Sequence, residues 1–255
     1  MILLIDIGNT HTHLGLGSGE RVVAHQNART ADWFDGSAGR RVERFIARRK
    51  IEGACICSVV PRATVPCAAW LKNLRLPFVE LNSSSIQWIG IDYPKPTTIG
   101  PDRLANAVAA FKCFGAPAVV VDFGTAVTFD VVDRRGYYVG GIIAPGLSAM
   151  TDYLHEKTAL LPKISIREVK AVVGKNTREA MLVGAVHGYR GLVRALIAEL
   201  KQELNARKLP VIATGGCARL IAKGVPEIAS VEPNLTLLGL LWVYRARNSR
   251  KLDPH

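Results

Sequence analysis

Asp6, Gly8 and Thr10 lie in MILLIDIGNTHTHLGL at residues 1–16, and Asp122, Gly124 and Thr125 lie in AVVVDFGTAVTFDVV at 118–132. Each segment is an apolar run, then Asp-x-Gly with a Thr close by, then a second β-prone run. That pattern reads as a buried strand entering a hairpin. Glycine beside Thr or Asn lets backbone N–H groups and a hydroxyl approach a phosphate closely. A carboxylate at the strand end can face a hydrated cation. The alternative for each Asp is a buried structural carboxylate satisfied by the N–H groups of its turn. One such hairpin is a common object. Two in one chain imply a duplicated domain that clamps a nucleotide between its halves. A third signal is IATGG at 212–216, just before a helical pattern. A strand ending this way presents bare backbone at Gly215 and Gly216, on which a base or ribose can lie, with a helix N-terminus near the phosphates.

Asp102 opens the helical pattern DRLANAVAAFKCF. It can cap backbone N–H groups there. The functional reading is a general base for a substrate hydroxyl, since phosphoryl transfer is mostly positioning and charge stabilisation. Arg103 is either a solvated charge or the partner of an anion. Gly100 permits close backbone approach, and Pro101 has a fixed φ and no N–H. Tyr93, in IDYPKP, is a loop aromatic, and Thr177, in GKNT, reads locally as a helix N-cap. Lys175 of GKNT is no Walker lysine, because G-x-x-x-x-G-K is absent. His11 and His13 alternate onto one side of a strand, facing solvent or a nucleotide rather than forming a metal pair.

These groups need a scaffold. Strands are expected at 2–7, 12–17 and 21–28, a helix near 38–50, a strand at 54–60, a helix at 62–74 and a strand at 77–82. A Pro-rich loop spans 83–101, and loops of that length over a scaffold often carry function. After the helix at 102–114, Gly115-Ala116-Pro117 marks a domain break. Strands follow at 118–123, 126–133 and 137–145, a helix near 147–157, an extended TALLPKI, helices over 175–205, the strand PVIATGG, a helix from Ala218 and a last helix through LTLLGLLWVYRAR. A tail at 248–255 is expected to fray. The expected fold is α/β: two domains of mixed sheet with flanking helices, 1–115 and 116–255.

The chain has 255 residues, 49% of them hydrophobic, enough for a real core. No apolar run approaches the roughly 20 residues that span a bilayer. Asp6 interrupts MILLI after five residues, so the N-terminus reads as a strand and not as a signal peptide. Five cysteines without a C-x-x-C pair read as buried, reduced thiols of a cytoplasmic protein. The net charge is +12. Its basic residues are scattered, and RRVERFIARRK at 40–50 reads as an amphipathic helix with a solvated face. Without aromatic interleaving or a recognised motif, neither a nucleic-acid nor a membrane partner is expected.

The two Asp-x-Gly hairpins followed by IATGG resemble the acetate-and-sugar-kinase, Hsp70 and actin superfamily, whose two ribonuclease-H-like halves close on ATP. A narrower resemblance is carried by DIGNT at 6–10, GPDRLANAVAA at 100–110, VDFGTAVTFDVV at 121–132, GGIIAPG at 140–146, TALLP at 158–162 and GKNTREAMLVGAVHGY at 174–189. In order and spacing, from Met1 to about Leu241, they resemble type III pantothenate kinase. The resemblance implies ATP-dependent phosphorylation of pantothenate to 4′-phosphopantothenate, the first step towards coenzyme A. The alternative is a non-catalytic regulator on the same fold. By resemblance Asp102 is the general base, and Tyr93, Gly100, Pro101, Asp102, Arg103 and Thr177 bind pantothenate. Pro101 departs from the small residue common at its position. ATP falls to Asp6, Ile7, Gly8, Asn9, Thr10, His11, Thr12 and His13, with Thr125, Gly215 and Gly216. Asp6 orients Mg²⁺ through water, and Asp122 binds a monovalent cation, K⁺ or ammonium. The resemblance also implies a homodimer whose interface brings Thr177 to the partner's site; the apolar-faced helices in 176–204, with Met181, Val183, Val186 and Leu192 among their apolar residues, read as interface material.

Overall fold

The computed structural model describes residues 1–249. The chain divides into two compact units. The first holds Met1–Gly115, Gly136–Val139 and the segment from Asn234; the second holds Ala116–Arg135 and Gly140–Pro233.

The first unit is built on β1 (Ile2–Ile7), β2 (His11–Ser18), β3 (Arg21–Arg29), β4 (Gly53–Ser58) and β5 (Phe78–Glu80), in the order β3-β2-β1-β4-β5. β1 pairs antiparallel with β2 and parallel with β4. Being central, β1 is buried at all six positions, which is why it reads as an unbroken apolar run up to Asp6. Helices α1 (Ser37–Ile46), α2 (Pro61–Asn73) and α3 (Pro101–Phe114) complete this part of the unit. α1 stops four residues short of the expected helix, and Arg48 beyond it has a positive φ of 64°.

The last helix, α8 (Leu235–Ser249), follows the second unit in sequence yet belongs to the first. The expected division at 115/116 differs from the observed one in α8 and in Gly136–Val139. The reason for α8 is steric fit. Gly15 and Gly17 of β2 leave room for Leu237 and Leu241, so that a Cβ on Gly17 would meet Leu241 at 2.5 Å. Gly239 likewise lets the backbone of Ala105 in α3 come into contact. From Leu104 to Ala110, α3 is buried throughout. Its one polar residue there, Asn106, accepts a hydrogen bond from Thr236 Oγ1 at 2.8 Å, so the buried amide oxygen is satisfied. This packing fixes the start of α3, where Asp102 sits.

The second unit repeats the scheme. β7 (Ala118–Phe123), β8 (Ala126–Val132), β9 (Tyr137–Pro145), β10 (Val211–Thr214) and β11 (Ser230–Val231) form the order β11-β10-β7-β8-β9. β7 is antiparallel to β8 and parallel to β10, as β1 is to β2 and β4. The duplication read from two Asp-x-Gly turns is thus a duplication of strand order. The short β6 (Gly90–Ile91), inside the expected loop 83–101, pairs with Tyr137 and Tyr138 at the start of β9.

The remaining helices are α4 (Leu147–Lys157), α5 (Thr177–Val183), α6 (Tyr189–Glu203) and α7 (Ala218–Ala222). A five-residue π turn at Gly184–Gly188 joins α5 to α6 without a break. Met181 and Val186, expected as interface material, are buried within the chain, because the run turns its apolar face inward. TALLPKI lies in a stretch, 158–176, without regular secondary structure. Arg190 anchors part of that stretch, donating to both carboxylate oxygens of Glu168 at 3.0 and 2.8 Å and to Leu220 O. The end of the tail, 250–255, lies outside the described residues.

Cys55, Cys57 and Cys67 are buried free thiols, as expected, but Cys113 is exposed and Cys217 half-buried. Among the described residues, no helix is long and apolar enough to cross a membrane.

Candidate active site

In the first unit Asp6, which is 9% exposed, is the penultimate residue of β1. The parallel register places Cys57 of β4 beside it, and the antiparallel register places His13 of β2 on its other side. The Cys57 thiol donates to Asp6 Oδ1 at 3.3 Å. Gly8 N–H closes the turn onto His11 O at 2.9 Å. The turn leaves Asn9, Thr10 and His11 exposed. Ile7 and Thr12, expected with them, have buried side chains. The Thr12 hydroxyl accepts from Trp33 Nε1 and meets the Thr30 hydroxyl, both at 3.2 Å, so it supports the hairpin from behind. The rings of His11 and His13 lie 6.5 Å apart on one side, as alternation requires. His13 Nδ1 is 2.9 Å from Asn27 Oδ1.

Asp102 is the second residue of α3, with Pro101 at the first helical position, where a missing N–H costs nothing. Oδ1 of Asp102 accepts from Arg103 N at 2.9 Å. Burial pushes the Asp102 carboxyl above its ordinary value, and the Arg103 amide and guanidinium pull the other way with less effect. A desolvated carboxylate is a stronger proton acceptor than one in water. The Cys57 thiol is pushed far up by burial first, then by the charges of Asp6 and Asp102. That thiol therefore lies within the fields of both carboxylates.

Sequence reasoning missed Tyr138. Its ring is fully buried, with Tyr93 edge-on at 6.3 Å and the Arg103 guanidinium 5.9 Å from its centroid. Tyr138 thereby gathers Tyr93 and Arg103 next to Asp102. The signal was weak: two adjacent tyrosines in a strand, one of which must face inward. The loop carrying Tyr93 is tied down at Trp88, whose Nε1 donates to Trp242 O at 3.1 Å and whose ring lies 3.7 Å from Lys112 Nζ.

In the second unit Asp122 is the penultimate residue of β7, paired across to Thr128 and Thr214. Gly215, at φ 89°, turns the chain against it, and a Cβ there would stand 2.5 Å from Asp122 Oδ1. That positive φ and that contact both demand glycine. Gly124 and Thr125 are exposed, and Gly146 N–H donates to Thr125 O at 3.1 Å, bracing the turn. Thr177, expected as an N-cap, is the first helical residue instead. Asn176 is the cap, its Oδ1 accepting from Glu179 N at 3.0 Å, while Glu179 Oε2 accepts from Lys175 N at 2.8 Å. The Thr177 side chain is exposed and has no capping role.

Among the described residues, no group of three His, Cys, Asp or Glu side chains could hold a metal ion. Mg²⁺ does not require one, since it keeps several waters and takes one or two carboxylates plus phosphate oxygens. A carboxylate at the end of β1 beside an exposed Gly-Asn-Thr turn fits that demand.

The sequence model of the type III pantothenate kinase family matches residues 2–199. The type III pantothenate kinase of Akkermansia muciniphila is 47% identical over 238 residues, covering 93% of this chain and 96% of the relative. That of Methylacidiphilum infernorum is 43% identical, covering 94% and 86%. Among solved structures, a ROK family glucokinase from Streptomyces griseus in complex with glucose and AMPPNP superposes with a TM-score of 0.57 at 15% identity, covering 96% of this chain and 99% of that one. At that identity the match speaks for the fold alone, a pair of ribonuclease-H-like units.

Proposed function

We propose a residue-level mechanism on one premise: the chain belongs to the type III pantothenate kinase family. The enzyme phosphorylates pantothenate with ATP and a divalent metal, in coenzyme A biosynthesis. In our reading the Asp102 carboxylate takes the proton of the pantothenate 4′-hydroxyl as its oxygen attacks the γ-phosphorus and ADP leaves. The observation that carries this is the half-buried Asp102 at the start of α3, flanked by Arg103, its carboxyl raised above the ordinary value by desolvation. Arg103 pairs the pantothenate carboxylate, and Tyr93 packs on the substrate with Gly100 beside it. Pro101 offers only its shape.

Asp6 would hold hydrated Mg²⁺, whose chemistry there would be to neutralise charge on the phosphates of ATP. Thr10 and Thr125 donate hydroxyls to phosphate oxygens. Gly215 and Gly216 give bare backbone to the adenosine. Asp122 holds a monovalent cation, K⁺ or ammonium.

A second copy of the chain is the proposed partner. Apart from Thr177, the second unit leaves the large apolar side chains of Ile143, Tyr153, Leu160, Val172 and Val173 at least 62% exposed. A homodimer would cover them. The proposed location is the cytoplasm, where free thiols persist. The reading is tested by a coupled ATP assay offering pantothenate, sugars and acetate. Turnover with pantothenate alone is expected; a preference for a sugar or acetate would overturn it.

A further inference from the structure

Cys57 is a buried thiol with no place in the mechanism above. It lies at the Asp6 end of β4, fully buried, and is the register partner of Asp6 in the parallel pairing of β1 with β4. Register partners in a parallel pair project from the same face of the sheet. The thiol uses that adjacency to donate to Asp6 Oδ1 at 3.3 Å. An apolar residue of similar size would fill the same space without the proton. The neighbouring β4 cysteine, Cys55, is likewise a buried free thiol.

We propose that Cys57 is a positioning residue for Asp6: its S–H engages Oδ1 and restrains rotation of the carboxylate that would orient the hydrated metal of the Mg²⁺–ATP complex. The inference rests on the reading of Asp6 as the metal-orienting residue. A carboxylate that is pre-aimed loses less freedom when it binds, so the gain appears in metal-dependent nucleotide binding. A thiol is a weak donor, and a hydroxyl at the same position can do the same work.

The test compares wild type, Cys57→Ala, Cys57→Ser, Asp6→Asn and the Asp6→Asn/Cys57→Ala double variant. Two quantities are measured: the Mg²⁺ concentration for half-maximal turnover, and calorimetric affinity for AMPPNP with and without Mg²⁺. Cys57→Ala should weaken Mg²⁺-dependent nucleotide binding roughly fivefold and leave metal-free binding unchanged. Cys57→Ser should restore it. The double variant should be no worse than Asp6→Asn, since a residue acting through Asp6 has nothing left to act on. A silent Cys57→Ala, a Ser variant as impaired as Ala, or additive losses in the double variant would each overturn the proposal. If Asp6→Asn itself leaves the Mg²⁺ response intact, the assignment of Asp6 fails; if Asp6→Asn is impaired while Cys57→Ala is silent, only the role of Cys57 fails. Should Cys57→Ala not fold, the infrared S–H stretching band lost in folded Cys57→Ser identifies this thiol in wild type. That band should shift when Mg²⁺–AMPPNP is added, and an unmoved band overturns the proposal.

Discussion

Gly100 stands so close to Asp102 that a Cβ on it would meet Asp102 Oδ1 at 2.5 Å. The backbone of Gly100, at φ −57° and ψ 130°, is open to any residue, so the need for glycine here is one of space. The carboxylate folds back over its own helix start and occupies the volume a side chain would take. Gly100→Ala should therefore leave α3 in place and push the carboxylate off its position. Displacing a reacting group by about 1 Å can cost as much as 10²-fold. A fall in kcat of roughly 10- to 100-fold is expected, with an unchanged circular dichroism spectrum. Wild-type kcat in Gly100→Ala would mean that the carboxylate position does not matter to the chemistry.

Asp102→Asn keeps the size of the side chain and removes the base. Turnover should drop by roughly 10²–10⁴, the range for general base catalysis, while ATP binding persists. The pH profile adds a signature. Asp102 acts ionised, and burial raises its pKa, so it takes up a proton at a higher pH than an ordinary aspartate of about 3.9. The acid limb of kcat/KM should lie above that value in wild type and vanish from the residual activity of Asp102→Asn. A near-normal rate in the folded variant would remove Asp102 from the mechanism.

The parts of this site legible in the sequence are those whose local pattern suffices. Asp6 and Asp122 each follow an apolar run just before a glycine turn, and each is the penultimate residue of a central strand. What was not legible depends on contacts far apart in the chain. Tyr138 reaches Tyr93 and Arg103 only because β6 pairs with the start of β9, a two-residue strand inside a Pro-rich loop with no periodic signal. The return of α8 to the first sheet depends on Gly15 and Gly17 matching Leu237 and Leu241, and no local pattern links residues so distant. The Thr177 reading missed by one residue. Asn and Thr are both good caps, and only the bond to Glu179 N decides for Asn176.

Asp122 and the glycine packed on it, Gly215, bear on the choice of cation. Activity should require Mg²⁺ and should rise when K⁺ or ammonium replaces Na⁺. Asp122→Ala should abolish that monovalent response and leave the Mg²⁺ requirement in place. Rates measured in buffers that differ only in the monovalent salt check this. Indifference of the wild type to K⁺ in a Na⁺-based buffer would sink the role given to Asp122.

The proposed dimer predicts complementation between two inactive proteins. Thr177 is exposed and relieved of capping by Asn176, so Thr177→Arg should fold and should disturb only what Thr177 touches. Asp102→Asn disables the site on its own subunit. If Thr177 serves the partner's site, a heterodimer of the two variants carries one site with both lesions and one with neither. A two-fold interface makes the two sites of a wild-type dimer equivalent. Random exchange makes half the dimers mixed, and each mixed dimer has one intact site of two, so activity should recover to about a quarter of wild type. Subunit exchange is verified with differently tagged chains, and activity is read by the coupled ATP assay. Full exchange without recovery would mean that Thr177 acts within its own subunit or plays no part in the site.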